Sequence, residues 1–152
     1  MREPNADKLN ELIGKLVGDL GAAIAGASIL LGDRLGIYKA MADGTPVTSA
    51  ELAKKTGLHE RYVREWLSAQ AASGYINYHP DENAFTLSPE QAMVFAEEGS
   101  PAFFVGGFDV VQSIYLDEPK IVEAFRSGRG RPVITPTWFR TGFLRSTGSR
   151  PN

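Results

Sequence analysis

Thr48-Ser49-Ala50-Glu51-Leu52-Ala53, Glu60-Arg61-Tyr62-Val63-Arg64-Glu65-Trp66-Leu67, Tyr75-Ile76-Asn77-Tyr78 and Ala84-Phe85-Thr86-Leu87 together decide the fold. Thr48, with Glu51 three residues on, is a capping-box pattern that opens a helix, and Gly57 supplies a left-handed stop. Leu58-His59-Glu60 turns into a second helix, in which Tyr62, Val63, Trp66, Leu67 and Gln70 recur at helical spacing until Ser73-Gly74 ends it. The two short β-prone runs flank the turn His79-Pro80-Asp81-Glu82-Asn83 and predict a hairpin. Helix, turn, helix, hairpin is the order of a winged helix-turn-helix. Such a unit either reads DNA or serves an enzyme as an assembly and lid element.

Outward toward the N-terminus, Leu9, Leu12, Ile13, Leu16, Val17 and Leu20 form an amphipathic stripe. From Ala22 to Leu31 the pattern is small and apolar nearly all round, which calls for burial on every side. The segment predicts two helices, or one long helix with a bend. Gly14, Gly18, Gly21 and Gly26 each cost a helix about 1 kcal/mol relative to Ala, a cost that close helix–helix approach offsets. The segment is expected to be either an internal core helix of the domain or, since there is little local surface to cover it, an intertwined homodimer interface, the second being favoured. Asp33 to Ala42 continues helically as far as Asp43-Gly44, with Asp33 and Arg34 a solvated or capping pair.

Beyond the hairpin, Ser88-Pro89-Glu90 opens a helix that runs to about Glu98, because it pairs a Ser cap with Pro at the first helical position. Gly99-Ser100-Pro101 restarts another. The aromatic, glycine-rich run Ala102 to Phe108 supplies core or, at Phe103, Phe104 and Phe108, the wall of a ligand pocket. Val110 to Tyr115 and Ile121 to Phe125 predict two further helices hinged at Glu118-Pro119. The fold class is therefore mainly α with a small β-hairpin. Its parts are a helical dimerisation segment at 1–45, the winged helix at 46–88, a helical extension at 89–127 and a distinct tail at 128–152.

Composition narrows the function. The 152 residues contain no Cys, which suits a reducing compartment, and no secretory leader is visible among the mixed charges of the first nineteen residues. The run Leu20 to Gly32 falls short of the roughly 20 residues that a membrane span needs, so a cytoplasmic location without membrane contact is expected. The chain carries 16 Lys and Arg against 18 Asp and Glu. Five of the arginines (129, 131, 140, 145 and 150) lie in the acid-free tail, which leaves 11 basic against 18 acidic residues, near −7, over residues 1–128. Residues 46–90 carry Lys54, Lys55, Arg61 and Arg64 against six acids, a net of −2. A DNA-reading winged helix presents a basic helix and wing to the phosphates; here Arg61 and Arg64 are the only candidate contacts on the second helix, and the wing carries Asp81 and Glu82.

Catalytic patterns are absent. His59 and His79 have no metal-ligand spacing, there is no nucleophile elbow, and Gly128-Arg129-Gly130 lacks the rest of a nucleotide loop. Neither a catalytic, a cofactor-binding nor a metal-binding residue can be named.

The strings Gly32-Asp33-Arg34-Leu35-Gly36-Ile37-Tyr38-Lys39-Ala40-Met41-Ala42, Thr48 to Ala53 and Glu60 to Leu67, continuing through Ala71 to Tyr75 and Phe85 to Glu90, resemble the N-terminal winged-helix domain of bacterial class I S-adenosylmethionine-dependent methyltransferases. The resemblance reaches roughly to Gly130. It implies a domain that dimerises and helps shape a substrate pocket, followed by a Rossmann-like domain that binds S-adenosylmethionine and transfers the methyl group. The family's D-x-G-x-G cofactor loop has no match here, so the resemblance implies no cofactor in this chain, a small-molecule acceptor only together with a catalytic domain, and no catalysis by the chain alone. The tail departs from the family where the linker should begin. Its Arg-, Pro-, Gly- and Thr-rich composition is what a GC-rich gene yields out of frame; one choice of codons for Val133 to Gly148 lets a neighbouring frame read Asp-Leu-Val-Pro-Asp-Gly-Ile-Ser-Ala-Leu-Asn-Arg, an acidic amphipathic segment. The expectations are a frameshifted, truncated methyltransferase or, alternatively, a disordered basic tail. The alternative function is a winged-helix transcriptional regulator using Arg61 and Arg64.

Overall fold

The computed structural model describes residues 3–129. The tail expectation, from residue 130 onward, lies outside the described residues. Among them the element order is α1 (Ala6–Arg34), α2 (Ile37–Ala40), α3 (Ser49–Thr56), α4 (Glu60–Ala72), β1 (Asn77–His79), β2 (Ala84–Thr86), α5 (Pro89–Phe95) and α6 (Gly106–Ser127). The strands pair antiparallel, with Asn77 opposite Thr86 and His79 opposite Ala84, and Val47 adds a single bridge to Phe85. The mainly helical fold with one hairpin, and its winged helix-turn-helix, are as the sequence predicts.

Local chemistry explains the boundaries. Thr48 Oγ1 accepts the Glu51 N–H while the Glu51 carboxylate accepts the Thr48 N–H at 2.9 Å, and Gly57 closes α3 at φ +71°. Ser88 and Gln91 build the same reciprocal cap on α5, with Pro89 in its first turn. These hydrogen bonds favour the charged carboxylate at Glu51, and the Ser88 hydroxyl does the same at Glu90, so both groups ionise below the ordinary glutamate range. A carboxylate depressed in the folded state binds fewer protons than in the unfolded chain. Its contribution is therefore complete above the ordinary glutamate range and is lost as pH falls through the folded value. Thermal unfolding followed from pH 7 downward should show stability falling in that acid window, and Glu51→Gln should flatten the slope there.

Three expectations are corrected, whereas of the two N-terminal alternatives the single long helix is the one observed, Ala6–Arg34, its glycines lying among strong helix formers that outweigh them. That helix does not run on to Asp43: Gly36, at φ +69°, breaks the chain and re-aims α2, which places Ile37 and Tyr38 in the core. The helix begun at Ser88 ends at Phe95, not Glu98, and none starts at Gly99, since Phe103 and Val105 are both buried at a spacing of two, which suits turns and extended chain better than a helix. Finally, α6 is one helix, Gly106–Ser127, that runs through Pro119, rather than two. Proline deprives the Tyr115 carbonyl of its helical donor, but Tyr115, Glu118, Pro119 and Lys120 are exposed, so that carbonyl is left to water.

The core gathers Ile29, Leu30, Ile37, Tyr38, Leu52, Val63, Trp66, Leu67, Phe85 and Phe95 around the helix-turn-helix. Tyr38 stacks on Phe95 and meets the edge of Trp66. One buried polar chain runs through it: Tyr38 Oη donates to Gln70 Oε1 at 2.6 Å, Gln70 Nε2 donates to Ser28 Oγ at 2.8 Å, and Trp66 Nε1 donates to the Ser28 carbonyl at 2.9 Å. Burial pushes the Tyr38 phenol up, so it stays a neutral donor. This network ties α1 to α4. Gln70→Leu leaves the buried Tyr38 hydroxyl and the part-buried Ser28 hydroxyl without that partner and should cost about 2–3 kcal/mol, measured as a lowered denaturant midpoint.

Only the C-terminal half of α1 takes part in that core. By length and composition the whole helix is also long and apolar enough to cross a membrane, but its buried residues Gly26, Ile29, Leu30 and Gly32 pack against the domain.

Candidate functional site

A groove of about 580 Å³ opens where α6 packs against the C-terminal half of α1. Its floor is made by small residues, Ala22, Ala23, Gly26 and Ala27, and its far wall by Phe108, Val111, Tyr115 and Leu116 of α6. Gly26 is required there: a Cβ on it would sit 2.7 Å from the Phe108 ring. At the mouth, Arg34 donates to Asp109 Oδ1 at 3.0 Å and Gln112 Oε1 at 2.6 Å. Arg34 is thus more than a solvated residue; it clamps the end of α1 to the first turns of α6.

The groove continues a larger apolar surface. Of the 18 large hydrophobic residues exposed among the described residues, 13 lie on these two helices. On α1 they are Leu9, Leu12, Ile13, Leu16, Val17, Leu20, Ile24 and Leu31, each between 47% and 64% exposed. Scattered single hydrophobics need no explanation, but so many exposed at helical spacing on α1 do.

The three phenylalanines named from sequence separate. Phe108 lines the groove, Phe103 is buried in the core, and Phe104 is 65% exposed, its ring edge-on to Phe108 at 6.3 Å. Val111, Tyr115 and Leu116 were not singled out as wall residues, although their spacing of four and one could have identified a face of α6. A second, shallower hollow of about 510 Å³ lies between α4 and the wing, lined by Ser49, Arg64, Ser68, Tyr78, Asn83 and Phe85.

On the helix that a DNA-reading winged helix would insert, Arg61 and Arg64 are both exposed, but Arg64 faces Glu60 at 3.7 Å one turn away, and Glu60 also accepts from Ser49. The wing turn exposes Asp81 and Glu82. His59 stands beside Tyr62, and His79 Nε2 lies 2.9 Å from Thr86 Oγ1 across the hairpin. No cluster of three potential metal ligands occurs among the described residues. The only sheet among them is the two-stranded antiparallel hairpin, so no parallel strand leads into a glycine-rich cofactor loop.

A family model described as the Rv2258c-like winged HTH domain matches residues 22–97, or 76 of the 152 residues. Among solved structures the chain is similar to the mitomycin 7-O-methyltransferase MmcR, with 19% sequence identity and a TM-score of 0.58 over 95% of this chain. The match takes in 39% of that protein, so the chain spans about two fifths of its length. At that identity the likeness establishes a shared fold. No curated protein matches.

Proposed function

Because the chain belongs to the Rv2258c-like winged HTH domain family, we propose that it is the dimerisation and substrate-lid module of an S-adenosylmethionine-dependent methyltransferase acting in the cytoplasm. The cofactor and the transfer step belong to a Rossmann-like domain outside the described residues, and the module alone is inactive. Its work is to bring two copies together through α1 and to cover the acceptor, a small molecule, with the Phe104–Phe108 edge. The observation that carries this reading is the unbroken apolar face of α1 and α6, on a body whose helix-turn-helix and wing are net acidic. A phosphate-reading surface has the opposite character.

Two measurements test it. Light scattering at micromolar concentration should return twice the monomer mass. A gel shift at low and moderate salt should show no sequence-specific retention; retention that disappears in Arg64→Ala would identify a DNA-binding regulator and overturn the proposal. Sequencing the encoding DNA beyond codon 125 adds a separate check, since a frame that opens onto a strand followed by D-x-G-x-G is expected.

A further inference from the structure

We infer that two copies join through an antiparallel pairing of their α1 helices about a two-fold axis at Leu20, the N-terminal half of each helix filling the α1/α6 groove of the other. This rests on the assembly reading above and specifies its geometry.

The argument is one of size and register. The N-terminal half of α1 exposes large side chains, Leu9, Leu12, Ile13, Leu16 and Val17. The C-terminal half offers the small floor Ala22, Ala23, Gly26 and Ala27. A parallel pair sets large on large and leaves the groove empty. Reversing one helix sets Ile13 and Val17 on small residues of the other copy's floor and leaves Leu20, Ile24 and Leu31 to meet large apolar partners, so protruding and recessed surfaces alternate as close packing requires.

The register follows from the sequence of the stripe. If Leu20 meets Leu20, then Val17 faces Ala23, Leu16 faces Ile24, Ile13 faces Ala27 and Leu9 faces Leu31. At about 100° per residue all of these fall within one broad side of the helix, and that side includes groove residues Ala23, Ala27, Leu30 and Leu31. Such an arrangement is isologous: every contact occurs twice, and it closes at two copies.

The extent is sufficient. If each of the eight exposed α1 side chains and the four wall residues of α6 gives up about 60–100 Å², the face amounts to roughly 700–1,200 Å² per copy, and a standard interface takes about 800 Å² from each partner. Between Leu9 and Gly32 the stripe is nearly free of charge, since Glu11, Lys15 and Asp19 are the only ionised residues before Gly32. A charged peptide finds little to pair with there, whereas a second copy of the same neutral stripe matches it.

These 152 residues contain no cysteine, which makes disulfide trapping in this chain direct. A disulfide needs Cα atoms about 4.4–6.8 Å apart. Leu20→Cys should form a covalent dimer under mild oxidation. Val17→Cys and Ala23→Cys should each cross-link poorly alone and well when mixed, and a mixture of Leu9→Cys with Leu31→Cys should do the same. All these positions except Ala23 bear large side chains 47–64% exposed in the single chain, so their folding is not at stake.

If the protein is a dimer by light scattering but Leu9→Cys or Val17→Cys links to itself, the pairing is parallel and the inference fails while the assembly reading stands. A dimer in which neither Leu20→Cys nor the Val17/Ala23 mixture links also overturns it. A monomer defeats both; if that monomer sediments with phosphatidylcholine vesicles, the face meets lipid instead.

Discussion

Leu20→Glu should leave a folded monomer, with dimer affinity weakened at least about 1,000-fold. Leu20 is 62% exposed in the single chain and contributes little to the protomer's own core. Burying a leucine stabilises by about 1.5–3 kcal/mol, and the two-fold pairing uses two of them. The substitution also sets two carboxylates against each other in apolar surroundings, where each must be desolvated or protonated. Together these exceed the roughly 4 kcal/mol that corresponds to three decades of affinity. Sedimentation equilibrium measures the affinity directly. Thermal unfolding adds an internal control: the midpoint of an associating protein rises with concentration, and that of a monomer does not. Leu20→Met, which keeps the volume and the apolarity, should retain both the mass and the concentration dependence. A Leu20→Glu protein that remains dimeric would show that α1 is not the interface.

The winged helix was readable because each of its boundaries rests on local chemistry. Thr48 and Glu51 cap α3 through contacts within three residues, Gly57 must adopt positive φ, and Ser88, Pro89 and Gln91 open α5 in the same self-contained way. Long-range packing overrode local signals elsewhere. Proline 119 is a strong breaker in isolation, yet it sits on the solvent side of α6 where its missing hydrogen bond costs little. Phe103 and Phe104 are adjacent and chemically identical, and only the fold decides that one is buried and the other exposed. The groove was half visible: the stripe of α1 stands out at helical spacing, whereas its opposite wall comes from α6, some eighty residues later in the chain. Arg34 illustrates the same point, because nothing near it in sequence reveals that Asp109 and Gln112 hold it.

The glycines of α1 carry the second large expectation, since the same residue type plays opposite parts along one helix. A Cβ at Gly32 would lie 2.3 Å from Trp66 Cζ2 and 2.6 Å from Tyr38 Cε2. Neither ring can yield cheaply. The Trp66 indole is held by its bond to the Ser28 carbonyl, and Tyr38 is held by Gln70 and by stacking on Phe95. Gly32→Ala must therefore displace the network that joins α1 to α4, and the overpacking should cost about 3 kcal/mol, well beyond the gain of roughly 1 kcal/mol from better helix propensity. That is a large share of the 5–15 kcal/mol typical of a domain, and the midpoint should fall by about 10 °C. At Gly18 a Cβ meets nothing within 4 Å in the single chain, so Gly18→Ala in the Leu20→Glu monomer should stabilise by up to about 1 kcal/mol. Comparing the two alanines by chemical denaturation separates a glycine required for close approach from one that merely loosens the helix. If Gly32→Ala were as stable as the parent, the packing of Trp66 and Tyr38 against α1 would have to be looser than these distances allow.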